Sequence, residues 1–141
     1  MKKLIILLLF ISVFQLTNSS CSDSCTCPNP GVHSESFYYT IYKNQWELAE
    51  PYHWFNRLIV PEITVPAINK GSVLVYFKNS INTWVLLPYS TTLVNNIGQT
   101  YTEEIWSGFA LGTVDIDYVY TNSLDPTPPD KLELKIVVMR Y

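Results

Sequence analysis

The two carboxylates with the most suggestive spacing are Asp115 and Asp117, which alternate with Val114 and Ile116. In a β-strand, alternate side chains share a face, so both carboxylates would lie on the same side of the sheet. Such a pair could ligate calcium or supply the two carboxyl groups of a hydrolase. The alternative, which we favour, is that both belong to a solvated outer face.

An active site needs a nucleophile with a base, paired carboxylates or a metal cluster. The sequence offers few other groups of these kinds. His53 lies in a Tyr-His-Trp segment, and His33 precedes the predicted domain. Glu103 and Glu104 are adjacent, so in a strand they would point to opposite faces. The sequence therefore predicts a protein that is not an enzyme, with no cofactor and no metal site.

Aromatic side chains are the remaining candidates for a binding site, since exposed rings can stack on sugars. Trp54, Trp106 and Tyr52 lie near proline, glycine or polar residues, and we predict that they are exposed and available for ligand stacking. Trp84 shares a strand face with Leu86, and we predict that it belongs to the core. This pattern makes carbohydrate binding an alternative function.

The chain begins with the pattern of an export signal. Lys2 and Lys3 precede an apolar run from Leu4 to Phe14, and the small, polar segment Thr17 to Ser20 leads to Cys21. A run of this length is too short to cross a bilayer, which takes roughly 20 apolar residues. We therefore predict a signal peptide over residues 1–20, removed on export.

All three cysteines, Cys21, Cys25 and Cys27, lie at or just after the predicted cleavage point. A cysteine after small residues at the end of a short signal is typical of bacterial lipoproteins, in which the thiol is acylated. Asn18 departs from that pattern, which has an aliphatic residue three positions before the cysteine. Lipidation of Cys21 is our prediction, and the alternative is simple secretion after cleavage near Ser19 or Ser20. A disulfide between Cys25 and Cys27 would be strained, so their pairing stays open.

Without Lys2 and Lys3, seven basic residues face twelve acidic ones, a formal charge of −5 for the exported chain. This balance argues against a nucleic-acid partner. Residues 21–36 are polar and rich in chain-breaking residues, which predicts a lipid-anchor cysteine followed by a flexible tether. Residues 37–141 have the length of a single domain.

The elements that must position the candidate residues are short strands with frequent turns. Alternation or turn signals predict extended segments at the following positions: 37–42, 46–49, 54–60, 63–68, 72–78, 83–87, 99–106, 113–120 and 132–138. The last of these is predicted to be central, and no amphipathic helix is expected. The pattern predicts an all-β fold, a single antiparallel β-sandwich of seven to nine strands with immunoglobulin-like or jelly-roll-like topology. A barrel is the alternative.

Four segments carry a resemblance to a group of bacterial proteins: Val73-Leu74-Val75-Tyr76-Phe77, Trp84-Val85-Leu86-Leu87-Pro88, Gly112-Thr113-Val114-Asp115-Ile116 and Lys135-Ile136-Val137-Val138. The chain from Phe37 to Tyr141 resembles small exported domains of Gram-negative bacteria, many of them uncharacterised lipoproteins, some with collagen-like tethers. This resemblance implies an architecture and a location, and it brings no activity or site residues.

We therefore expect an envelope-anchored, non-enzymatic β-sandwich lipoprotein that acts as an accessory or interaction module. We expect it to bind the membrane through the lipid anchor on Cys21. Its ligand would be a polysaccharide or an envelope protein. The outer membrane is the expected location, with a periplasmic or secreted protein as the alternative.

Overall fold

The computed structural model describes residues 31–121 and 127–141. These residues form nine β-strands, one short α-helix and a 3₁₀ turn at Lys43–Gln45. In chain order the elements are β1 (His33–Tyr42), β2 (Glu47–Glu50), β3 (His53–Ile59), α1 (Val65–Lys70), β4 (Ser72–Lys78), β5 (Trp84–Leu86), β6 (Tyr89–Val94), β7 (Thr100–Ala110), β8 (Thr113–Thr121) and β9 (Lys131–Arg140). No helix among the described residues has the length and apolar character needed to cross a bilayer.

The strands form two antiparallel sheets, which confirms the predicted β-sandwich. One sheet has four strands in the order β1-β9-β4-β5, and the other has five in the order β2-β3-β8-β7-β6. The two sheets do not close into a barrel. The first and last strands of the domain are therefore hydrogen-bonded neighbours.

The core lies between the sheets and is built from strict alternation along the strands. On β9, Leu134, Ile136 and Val138 are fully buried, while the residues between them face outward. Val114 and Ile116 on β8, which belongs to the opposite sheet, are also fully buried. β9 pairs with both β1 and β4, which confirms the prediction that the terminal strand is central.

The first strand begins at His33, although the sequence predicted that the domain starts at Phe37 and that His33 lies in the tether. The polar segment that precedes Phe37 is extended because β9 is long enough to pair with it, with His33 opposite Arg140. An ion pair of 2.8 Å between Glu35 and Arg140 also links the two strand ends.

The segment 63–68 was predicted to be extended, but Val65–Lys70 is a helix. Pro66 lies in its first turn, where the missing N–H breaks no helical hydrogen bond, so the proline starts the helix here. The predicted segment 99–106 ends too early, because β7 continues through Ser107 and Gly108 to Ala110. β6 follows Pro88, where no extended segment was predicted.

Candidate functional site

Asp115 and Asp117 lie on the outer face of the five-stranded sheet, as their alternation predicted. Arg57 binds Asp115 through two hydrogen bonds, Nε to Oδ1 at 2.7 Å and the second guanidinium nitrogen to Oδ2 at 2.9 Å. Asp117 Oδ1 lies 2.7 Å from His53 Nε2. Each carboxylate therefore has its own basic partner on β3, and the two do not converge on a common ligand.

The electrostatics of this face keep Asp115 ionised. The hydrogen bonds from Arg57, with its positive charge, lower the pKa of Asp115 against a smaller opposing effect of burial. The same contact raises the pKa of the Arg57 guanidinium. A carboxylic acid that donates a proton near neutral pH needs a raised pKa, so Asp115 is poorly suited to general-acid catalysis. Among the described residues, no group of three or more histidines, cysteines and carboxylates is placed to hold a metal ion.

Trp54, predicted to be an exposed stacking residue, is buried in the core. It aligns with Tyr118 across β3 and β8, and residues at that register position face the interior. Its ring packs edge-on against Tyr120 at a centroid distance of 6.0 Å. Trp54 is buried because it occupies an inward position in the alternation of β3. The nearby proline does not change which face of the strand Trp54 lies on.

Trp106 and Tyr52 are both about half exposed, as predicted. Trp106 aligns with Asp117 on the outer face of β7 and β8. Tyr52 lies at the turn before β3, where its carbonyl accepts a hydrogen bond from Tyr120 N–H. Its φ of 69° is in the left-handed region, so the turn determines the position of Tyr52.

Trp84, predicted to be core, lies on the outer face of the four-stranded sheet. The β5 residues that point inward are Val85, which aligns with buried Phe77, and the following Leu87. Trp84 aligns with Lys78 and points to the opposite side. Because strand alternation fixes only which residues share a face, the sequence did not identify the face that is buried.

Three aromatic rings and two lysines form a cluster on this outer face, here called the aromatic platform: Tyr38, Tyr76, Trp84, Lys78 and Lys135. The strand register places Lys135 between Tyr38 on β1 and Tyr76 on β4. Lys135 Nζ lies 4.5 Å from the ring centroid of Tyr76 and 5.4 Å from that of Trp84. Lys78 Nζ lies 5.7 Å from the Trp84 ring.

The aromatic platform is partly exposed to solvent, since Tyr76 and Trp84 are half-buried, and it is held in place by its own contacts. Tyr38 is 68% exposed, and its ring packs against Trp84 at a tilt of 54° and a centroid distance of 5.9 Å. Leu86 extends the apolar surface beside Tyr76 and is 46% exposed. Cation–π contacts of this kind order the long lysine side chains near the rings. The surface can therefore present ring faces and positive charge to one ligand.

Sequence reasoning missed the aromatic platform because its members come from four strands. Alternation alone places Tyr38 opposite Phe37, and no local pattern shows that its ring meets that of Trp84, because β1 and β5 are the two edge strands of this sheet. Tyr76 and Trp84 lie in the predicted segments 72–78 and 83–87, which a short polar turn separates, and this spacing was the available signal. The cysteines, including the predicted lipidation site Cys21, lie outside the described residues.

Searches against protein families, curated proteins and solved structures found no match to this chain, so its site is characterised by its geometry alone.

Proposed function

We propose that this chain is a non-enzymatic interaction module of the bacterial cell envelope, exported by residues 1–20 and anchored through Cys21. The composition of the N-terminal segment supports export, with Lys2 and Lys3 before an apolar run and Cys21 after small residues. The short, polar segment after Cys21 would connect the lipid to β1. Binding, without chemical conversion of a ligand, would then be the role of the β-sandwich.

The observation that carries the binding role is the aromatic platform. Large aromatic rings at the surface of a soluble domain are unusual in such a close group, and contiguous exposed apolar surface marks interaction sites. Tyr38 is its most exposed ring and packs against Trp84, and the exposed Leu86 extends the surface beside Tyr76. The platform lies on a sheet face, where the strands fix its ring positions before a ligand binds.

The chemistry of the platform favours an anionic polysaccharide as its ligand. Aromatic rings such as Tyr38 and Trp84 can pack against the apolar faces of sugar rings. Lys78 and Lys135 add ammonium groups over the Trp84 ring, suited to uronic-acid carboxylates or phosphate groups. The chain as a whole has a net negative charge, so the two lysines distinguish the aromatic platform from the rest of its surface. Carbohydrate binding, with the platform as its site, is thus the specific form of the proposed function.

Affinity electrophoresis in gels that contain alginate tests this proposal. We expect Trp84→Ala to weaken retention roughly tenfold, the loss typical of one aromatic anchor at an interface. Trp106→Ala is the matched control, because it removes an exposed tryptophan from the other sheet, and it should leave retention unchanged. Uncharged dextran gels should retain the wild type less than alginate gels do.

If Trp84→Ala weakens β5, a second variant separates the loss of ligand binding from the loss of stability. Lys135→Gln leaves the rings in place and should reduce retention on alginate while thermal unfolding stays close to the wild type. Equal retention of all variants, or loss of retention only in Trp106→Ala, would contradict the platform as the binding surface.

The anchoring part of the proposal predicts the mass of the mature N-terminus. In a Gram-negative host, the mature protein should begin at Cys21 and carry a diacylglyceryl group, because the cysteine follows Ser19 and Ser20. Cys21→Ser is the control, and this variant should not acquire the lipid. An unmodified Cys21 or a mature chain that begins at Ser20 would show simple secretion and reject the anchor.

A further inference from the structure

An open cleft with a volume of about 330 Å³ lies between the two sheets, on the inner side of the sheet whose outer face carries the aromatic platform. This volume is at the lower end of the range for small-molecule sites, roughly 300–1,000 Å³. The inward faces of β6, β7 and β8 form one wall, and Phe77 and Leu132 from the opposite sheet form the other. Asn79, Ser80 and Pro129 also line the cleft.

Glu103 supplies the carboxylate of the cleft. It precedes buried Ile105 by two residues on β7, so its side chain points between the sheets while Glu104 points outward. Tyr118 O–H donates a hydrogen bond to Glu103 Oε1. None of the ion pairs formed by the described residues includes Glu103. The carboxylate is therefore held by one hydrogen bond and has no cationic partner among those residues.

The tyrosine hydroxyl groups beside Glu103 stay protonated and neutral, so they add no charge of their own to the cleft. Burial, followed by the hydrogen bond to Glu103, raises the pKa of Tyr118 far above its ordinary value. Burial also raises the pKa of Tyr120, whose hydroxyl lies 3.3 Å from that of Tyr118. Lys78 contributes to the cleft lining, but its Nζ is directed to the Trp84 ring on the outer face.

Aromatic rings line the cleft next to this carboxylate. Phe77 and Tyr89 pack against each other with a centroid distance of 4.8 Å, and Tyr118 lies on the same wall as Tyr89. A carboxylate with several ring faces is the combination that binds organic ammonium groups, through charge and cation–π attraction together. A neutral or anionic ligand would leave the carboxylate without a charge partner.

We infer that this cleft binds a small organic cation, a ligand with a primary or quaternary ammonium group. The ammonium group pairs with Glu103, and its alkyl groups contact the rings of Tyr89 and Phe77. This site is distinct from the platform: Glu103, Tyr89 and Phe77 face inward, whereas the platform rings lie on the outer side of the four-stranded sheet, and only Lys78 lines both surfaces.

Two-dimensional amide NMR of the purified protein tests this inference, with choline as the probe. Its neutral carbon isostere, with a tert-butyl group in place of the trimethylammonium group, is the matched control. Choline should shift the amide signals of Glu103, Tyr118 and Tyr89, and the isostere should bind at least roughly tenfold more weakly. The comparison needs no variant, so it holds whatever a substitution does to folding.

Glu103→Gln keeps an acceptor for the Tyr118 hydroxyl and removes the charge, so it should abolish the preference for choline. Glu104→Gln makes the same change on the outer face and should leave the preference intact. Equal binding of choline and its isostere, equal effects of the two glutamine variants, or no shift of the cleft signals by choline or ethanolamine would each overturn the inference. Loss of alginate retention in Trp84→Ala with choline binding intact would separate the two sites.

Discussion

Replacement of Leu134 by alanine should lower the free energy of unfolding by about 3–4 kcal/mol, within the range for buried leucines. Leu134 is fully buried on β9, the strand that pairs with both β1 and β4. Removal of its side chain leaves a cavity that neighbouring strands cannot easily fill, because both are fixed by hydrogen bonds to β9. Urea denaturation measures the loss.

Leu48→Ala is the matched control for this prediction. Leu48 is 66% exposed on β2, an edge strand of the other sheet, so the same chemical change should cost less than about 1 kcal/mol. Similar losses for the two variants would contradict the assignment of β9 as the centre of the core.

Gly71→Ala should destabilise the protein by about 2–3 kcal/mol, as expected for an added methyl group in a tightly packed place. A Cβ at Gly71 would overlap the carbonyl oxygen of Met139 and lie 2.8 Å from that of Ala67. Both contacts are with backbone atoms, so relief requires α1 or β9 to move. Thermal or urea unfolding would measure the effect.

Gly108→Ala provides the comparison, because a Cβ at this position on β7 meets no atom within 4 Å. Alanine there should change stability by less than about 0.5 kcal/mol, or slightly increase it, since glycine weakens a strand. If both alanine variants are equally stable, α1 does not pack against β9 as described.

The fold was predictable because its core strands alternate strictly. Leu132, Leu134, Ile136 and Val138 recur at every second position, which specifies a strand with one buried face. The segment after Pro88 was harder, because β6 is rich in serine and threonine and its inward residues are only partly buried. Its strand character comes from pairing with β7, which is information that a local pattern does not contain.

The two tryptophan errors have a common physical origin. Trp54 was predicted to be exposed and is buried, whereas Trp84 was predicted to be buried and is on the outer face. Alternation groups residues by face, and a shift of one residue exchanges the faces. Tertiary packing decides between them: on β5, Val85 faces the core and aligns with Phe77.

The candidate sites depend on strand order even more than the core does. The sequence correctly placed Asp115 and Asp117 on one face, but their partners Arg57 and His53 come from β3, far away in the chain. The aromatic platform and the cleft likewise combine residues from several strands. Long-range pairing, which is a property of the whole domain, brings these residues together.

NMR mapping of the purified protein with alginate oligosaccharides tests whether the aromatic platform binds an anionic polysaccharide. We expect shifts centred on the Trp84 indole N–H and the amides of Tyr38 and Tyr76, with the Trp106 indole signal unchanged. Shifts centred on Trp106, or none at the platform, would contradict it.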